Sequence, residues 1–145
     1  MRFEKLYRLI KEDLEYPLAS DKEMQTYAGE VNWKGKIVYM SPDKFLHLAA
    51  PIKDNQINRD GLAKLEQRLL DQLPTDPLVL EVDMAPVKKV RGHEGRHRAI
   101  AAKKLGIEKV PVLIFTGSYY TRTPKWTPEQ HAKVEDIDSY KPERY

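Results

Sequence analysis

The chain has 145 residues, 41% hydrophobic and 32% charged, with a formal net charge of +3. That balance fits one folded domain with a real core and excludes disordered or low-complexity chains. Cysteine is absent, which excludes disulfides, cysteine-bound zinc and thiol nucleophiles.

The opening residues, Met1-Arg2-Phe3-Glu4-Lys5, mix acids and bases, and no apolar run reaches signal-peptide or membrane-spanning length. A cytoplasmic location is expected. Phe3, Leu6, Ile10 and Leu14 recur at helical spacing and predict an amphipathic helix that ends before Pro17 and docks on the core. Residues 19–34 show no period and read as loop. Lys36 to Met40 reads as a short strand. Ser41-Pro42 supplies an N-cap and a first-turn proline for a short helix through Phe45, Leu46 and Leu48. A polar loop follows, and Asp60 is expected to cap a second helix with Leu62, Leu65, Leu69 and Leu73 on its apolar stripe, ended by Leu73-Pro74.

Pro77 to Val82 reads as a buried strand and Val87 to Val90 as a shorter one. Arg96 to Leu105 reads as a helix closed by Gly106, and Val110 to Phe115 as a further strand. Beyond Gly117, Tyr119-Tyr120, Trp126 and Tyr140 sit among polar residues, and Thr127-Pro128-Glu129-Gln130 forms a capping box. Such aromatics can stack on nucleobases, though a tail that wraps the domain is the simpler expectation. Strand, helix and strand in close succession predict an α/β (α+β) fold, a single compact domain with a small mixed sheet and flanking helices. The expected division is an N-terminal extension over 1–35, the domain proper over 36–116 and a C-terminal extension over 117–145.

Charge is concentrated rather than spread. Between Lys88 and Lys109 eight bases face two acids, a local +6 that leaves −3 for the rest of the chain. An anionic partner is the natural expectation; a solvated helix face is the alternative. Within this stretch lies Gly92-His93-Glu94-Gly95-Arg96-His97-Arg98. Two glycines let the backbone curl and approach a ligand closely. A helix beginning beside Gly95 leaves its first amides without intrahelical partners, which makes an anion site. Arg96 and Arg98 add planar charged forks, and His97 adds further donors. His93 and Glu94, on the entering side, are the candidates for acid–base work. Arg98 also shares a stripe with Ala101, Ala102 and Leu105, so an internal carboxylate is an alternative partner for it. Lys103 and Lys104 are expected to be solvated.

Gly95-Arg96-His97-Arg98-Ala99, then Leu105-Gly106-Ile107 and Val110-Pro111-Val112, resembles the signature helix and following strand of the ParB/sulfiredoxin-like superfamily. The resemblance covers roughly Lys36 to Phe115. It implies that Gly95, Arg96, His97 and Arg98 cradle a nucleotide or nucleic-acid phosphate, and Gly92, from the glycine bend, is expected to join them. It also implies Mg²⁺ with ATP or another NTP as cofactor, and a hydrolase, phosphotransferase or nuclease reaction if the chain is an enzyme. Glu94, Asp43 and Asp83 are the carboxylates available for such a reaction, Glu94 being nearest. Sulfiredoxin activity does not carry over, because Arg96 stands where that family's cysteine would be. Partition-type DNA clamping needs a further helix-turn-helix domain, and only 30 residues remain. The expected partners are a nucleotide or nucleic acid and a second copy of the chain, with no membrane. A non-catalytic DNA- or nucleotide-binding module is the alternative within the same cradle.

The same residues hide a rival. His93-Glu94-Gly95-Arg96-His97 is a literal His-Glu-x-x-His string, which on a helix binds zinc for peptide hydrolysis. Glu129, Glu135 or His131 would have to supply a third ligand. The glycines disfavour helix there, and Arg91, Arg96 and Arg98 would crowd a divalent cation.

Overall fold

The computed structural model describes residues 14–24, 35–83, 87–116 and 137–143. The predicted N-terminal helix, the loop beyond residue 24 and the aromatic stretch with its capping box lie outside those residues. In chain order the elements are β1 (Lys36–Met40), α1 (Pro42–Leu48), a 3-10 turn (Asp54–Gln56), α2 (Arg59–Leu70), β2 (Leu78–Asp83), β3 (Lys89–Glu94), α3 (Arg96–Lys104), β4 (Val110–Thr116) and a last 3-10 turn (Ile137–Ser139). The four strands form one open mixed sheet in the order β1-β4-β2-β3. β4 runs parallel to β2 and antiparallel to β1, and β2 pairs antiparallel with β3. This is a compact α+β architecture.

Burial follows sheet position. In central β4 every residue from Val110 to Phe115 is buried, and in β2 Leu78, Val79, Leu80 and Val82 are fully buried. A strand covered on both faces reads as a continuous apolar run, which is how these two appear in the sequence. Pro111 is the second residue of β4 and precedes the start of the ladder with β2, where Leu78 lies opposite Val112, a strand-end position where proline is tolerated. The edge strands carry the polar residues, with Tyr39 exposed on β1 and Lys89, Arg91 and Glu94 exposed on β3.

The helices pack with α3 in the middle, touching α1, α2 and β2. Ala99, Ala101 and Ala102 are fully buried on it, so small side chains let the neighbouring helices approach. Ser41 caps α1 by accepting from the Lys44 amide at 3.1 Å, with Pro42 at the first position, as expected. α3 ends as expected too: Gly106 (φ 77°) donates to Lys103 O and Ile107 donates to Ala102 O, a Schellman closure.

α2 departs from expectation at both ends. Its cap is Asn58, whose side chain accepts from the Gly61 amide at 2.9 Å, and Asp60 lies inside the first turn. It stops at Leu70, with Gln72 in the left-handed region (φ 54°), so Leu73 falls outside the helix and is exposed. Two candidate caps in three residues cannot be separated by residue type alone, because both suit the role.

The largest correction concerns β3. It runs on to Glu94, so Gly92, His93 and Glu94 are strand residues and the chain turns only at Gly95. Pairing with β2 holds them extended: Val79 lies opposite Glu94, Leu80 opposite His93 and Glu81 opposite Gly92, with an irregularity that leaves Arg91 between the paired positions. Gly92 serves close approach instead of turning, since a Cβ there would lie 3.1 Å from Glu81 Oε2.

Candidate functional site

Gly95 is the pivot between strand and helix. Its φ of 107° is open to glycine and costly for other residues. A Cβ at this position would also lie 3.0 Å from Arg98 Nη2, 3.2 Å from Arg98 Nε and 3.1 Å from Leu78 Cγ. The Arg98 guanidinium is therefore folded back over the turn, so its charge sits at the helix start. No side chain among the described residues caps α3. Ala99 N–H is the first amide to find a helical partner, Gly95 O at 3.0 Å. The amides of Arg96, His97 and Arg98 ahead of it take none among the described residues, and they carry the positive end of the helix dipole.

The two arginines leave this point in different directions. Arg96 Nη1 donates to Ala50 O (3.1 Å) and Pro51 O (3.0 Å), the segment just after α1. Arg98 Nη2 donates to Pro77 O (3.2 Å), just ahead of β2, and its Nε is buried with no partner among the described residues. Neither guanidinium has a carboxylate partner among the described residues, so the internal acid considered for Arg98 is replaced by a carbonyl. Arg98 lines a cleft of about 240 Å³ with Arg68, Thr75, Asp76 and others. Arg68, which sequence reasoning did not single out, is likewise bonded to a carbonyl, Pro74 O.

Tyr16 donates its hydroxyl to Asp76 O beside this cleft. Burial pushes its ionisation well above the usual tyrosine range; the Arg98 charge opposes that shift, Asp76 adds to it and Arg68 opposes it. The phenol thus stays a neutral donor. Backbone bonds from Thr75 N to Pro17 O (2.8 Å) and Ala19 N to Thr75 O (2.9 Å) hold the segment around Tyr16 in place.

Half of the other bases in the stretch are paired with acids from other elements. Arg91 pairs with Glu81 and, at 3.4 Å, with Asp83. Lys103 meets Asp43 at 2.7 Å and Lys104 meets Glu66 at 3.0 Å. Lys88 lies 5.8 Å from the centre of the Tyr140 ring. Lys103 and Lys104 are solvent-exposed as expected, yet each is also paired. The local +6 therefore overstates the charge a ligand would meet; Arg96 and Arg98 at the start of α3, like Lys89 and Lys109, have no acid partner among the described residues. Of the three carboxylates considered, Asp43 and Asp83 are engaged with cations, whereas exposed Glu94 has no ion pair among the described residues.

The histidines do not behave as a His-Glu-x-x-His pair. His93 is on a strand and His97 on a helix, separated by the left-handed Gly95, so they do not share a helical face. His97 Nε2 accepts from the Asn58 amide at 3.0 Å, which fixes the entrance of α2 and removes that nitrogen as a donor to a ligand. His93 Nδ1 lies 2.6 Å from Glu143 Oε2. No group of three metal-ligating side chains is brought together among the described residues; Glu129, His131 and Glu135 lie outside them.

The site residues that sequence reasoning missed are Arg68, Asn58, Glu143 and the carbonyls of Ala50, Pro51 and Pro77. A carbonyl acceptor leaves no trace in residue type, and Glu143 lies in a tail without periodicity. A larger cavity of about 570 Å³ lies past the other end of α3, beside Tyr16, Tyr39 and Gly106 to Lys109, and no residue from Gly92 to Arg98 lines it. No helix among the described residues is long and apolar enough to cross a membrane. No family model, curated protein or solved structure matches the chain.

Proposed function

We propose that the start of α3 is a phosphate-binding site, and that the chain is a ParB/sulfiredoxin-like domain taking a nucleotide or nucleic-acid phosphate there. One observation carries this reading. Arg96 and Arg98 flank a helix start whose first three amides lack helical partners, and each guanidinium is held by carbonyls and forms no ion pair among the described residues, while Arg91, Lys103 and Lys104 each have a carboxylate. Carbonyls orient a guanidinium without cancelling its charge. Two fixed positive groups beside the positive end of a helix dipole repel one another unless an anion joins them. Phosphate offers the multiple oxygens such an array can bond. The motif Glu94-Gly95-Arg96-His97-Arg98, with its resemblance to that superfamily, supports the same reading.

Mg²⁺-dependent phosphoryl transfer or hydrolysis of a nucleoside triphosphate or phosphodiester belongs to the proposal, with Glu94 as its candidate carboxylate. A thermal-shift screen of ATP, CTP, GTP, ADP and oligonucleotides, with and without Mg²⁺, tests it. Stabilisation of the wild-type chain that is lost in Arg98→Met and Arg96→Met is the expected result. No stabilisation by any phosphate compound would refute it. Affinity that falls steeply with salt would identify nucleic acid, and a shallow dependence a mononucleotide.

A further inference from the structure

The described end of the C-terminal tail is seated on two elements at once. On the sheet side Val90 N–H donates to Lys141 O (2.9 Å) and Lys141 N–H to Lys88 O (3.0 Å), a parallel bridge along the outer edge of β3. Tyr140 is buried, with Lys88 Nζ 5.8 Å from the centre of its ring. On the helix side Glu143 N–H donates to Leu48 O at 2.9 Å. The Glu143 carboxylate returns to β3, where it lies 2.6 Å from His93 Nδ1 with both side chains 11% exposed. Lys44 on α1 also meets Asp138 at 2.9 Å. The tail thus straps the end of α1 to the edge of β3.

We infer that this strap is a working part of the α3 anion site: the Glu143 amide caps α1 and thereby positions Arg96, so that tail docking and phosphate binding reinforce each other. The inference rests on the phosphate reading given above. Leu48 is the last residue of α1, where carbonyls have no intrahelical partner, and it is only 1% exposed. A carbonyl in such a place needs a donor from outside the helix, and the tail supplies it. The chain then leaves α1 extended at Ala49 (ψ 162°), with Ala49 and Ala50 buried as deeply as Leu48. The next two carbonyls, Ala50 O and Pro51 O, are the pair that Arg96 Nη1 bonds at 3.1 and 3.0 Å. One guanidinium nitrogen shared between two carbonyls keeps its place only while both keep theirs. The tail's hold on Leu48 and the acceptors that orient Arg96 therefore belong to one short, buried segment.

The strap is also light enough to respond. It adds a single bridge and a capping bond to the sheet and helix, not a full strand, and segments with few contacts open locally without global unfolding. Pro142 stiffens the chain between its two anchors. Two sites coupled through such a segment change one another's equilibria by the same factor, commonly about fivefold or more.

Single-amide hydrogen exchange of the full chain, with and without saturating pyrophosphate, tests the inference. The Lys141 and Glu143 amides are expected to slow about fivefold or more on binding, alongside the amides of Arg96 to Arg98. The second measurement is the pyrophosphate Kd. Glu143→Pro removes both the N–H on Leu48 O and the carboxylate on His93, and should weaken binding about fivefold or more. In an Arg96→Met background, where the strap has no guanidinium left to position, the same change should alter Kd by less than about twofold; a merely destabilising change would weaken both backgrounds alike. Tail amides that stay unchanged while the α3 amides respond would overturn the inference and leave the phosphate reading standing, and so would equal losses in the two backgrounds. No response at any amide would overturn both. The exchange comparison is made within the wild-type chain, so it holds even if Glu143→Pro does not fold.

Discussion

Replacing Gly95 by alanine perturbs the one residue on which the strand, the helix and the Arg98 guanidinium all depend. The left-handed backbone costs a residue with a Cβ about 1–2 kcal/mol. The new methyl meets Leu78 Cγ at 3.1 Å, and Leu78 is fully buried and cannot retreat. It also meets Arg98 Nη2 at 3.0 Å. The guanidinium can yield only by straining its 3.2 Å bond to Pro77 O, and losing a charged hydrogen bond of this kind costs up to about 1.5–3 kcal/mol. The expected destabilisation is about 2–4 kcal/mol, read by urea unfolding with unchanged m-value. That corresponds to a fall in Tm of roughly 5–15 °C for a chain of this length. Gly92→Ala is the control. Its Cβ would meet only Glu81, at Oε2 (3.1 Å), the movable end of a side chain, and at Cβ (3.6 Å), so a change within about 0.5 kcal/mol is expected. Equal effects at the two glycines, or no effect at Gly95, would refute the assignment of the turn to Gly95.

Tyr16→Phe should cost about 1 kcal/mol at neutral pH by removing the hydroxyl bond to Asp76 O. Because the folded-state ionisation of Tyr16 is raised, the folded chain holds this proton more tightly than the unfolded one. Its contribution is complete below about pH 10 and should be lost at up to about 1.4 kcal/mol per pH unit above it; urea unfolding of wild type and variant across that range should therefore converge. A double-mutant cycle on Lys103 and Asp43, whose side chains are 60% and 70% exposed, should yield no more than about 1 kcal/mol of coupling. Glu94→Gln should leave nucleotide affinity within about twofold and abolish turnover if that carboxylate serves the reaction; unchanged turnover of a confirmed substrate would remove Glu94 from the mechanism.

Local signals were legible where their physics is local. The apolar runs of β2 and β4, the Ser41-Pro42 start of α1 and the Gly106 close of α3 each depend on a few consecutive residues, and each is found where expected. Reading Gly92 as part of a turn failed because two glycines within four residues suit either a turn or a strand with a close neighbour. Pairing with β2 decided between them. The choice between Asn58 and Asp60 as the cap of α2 was decided in the same way, with the Asn58 amide held by His97 from 39 residues away.

By itself the sequence determined that a basic, glycine-entered helix start follows a strand, since dihedral freedom and helix polarity are properties of neighbouring residues. Tertiary structure alone decided which of the basic residues keep their charge uncompensated. Asp43, Glu66, Glu81 and Asp83 come from other elements to pair with Lys103, Lys104 and Arg91, while Arg96 and Arg98 find carbonyls. Coulomb energy and hydrogen bonding depend on distance in space. Partners separated by eight to sixty positions along the chain therefore leave no pattern in it, and only folding brings them within reach.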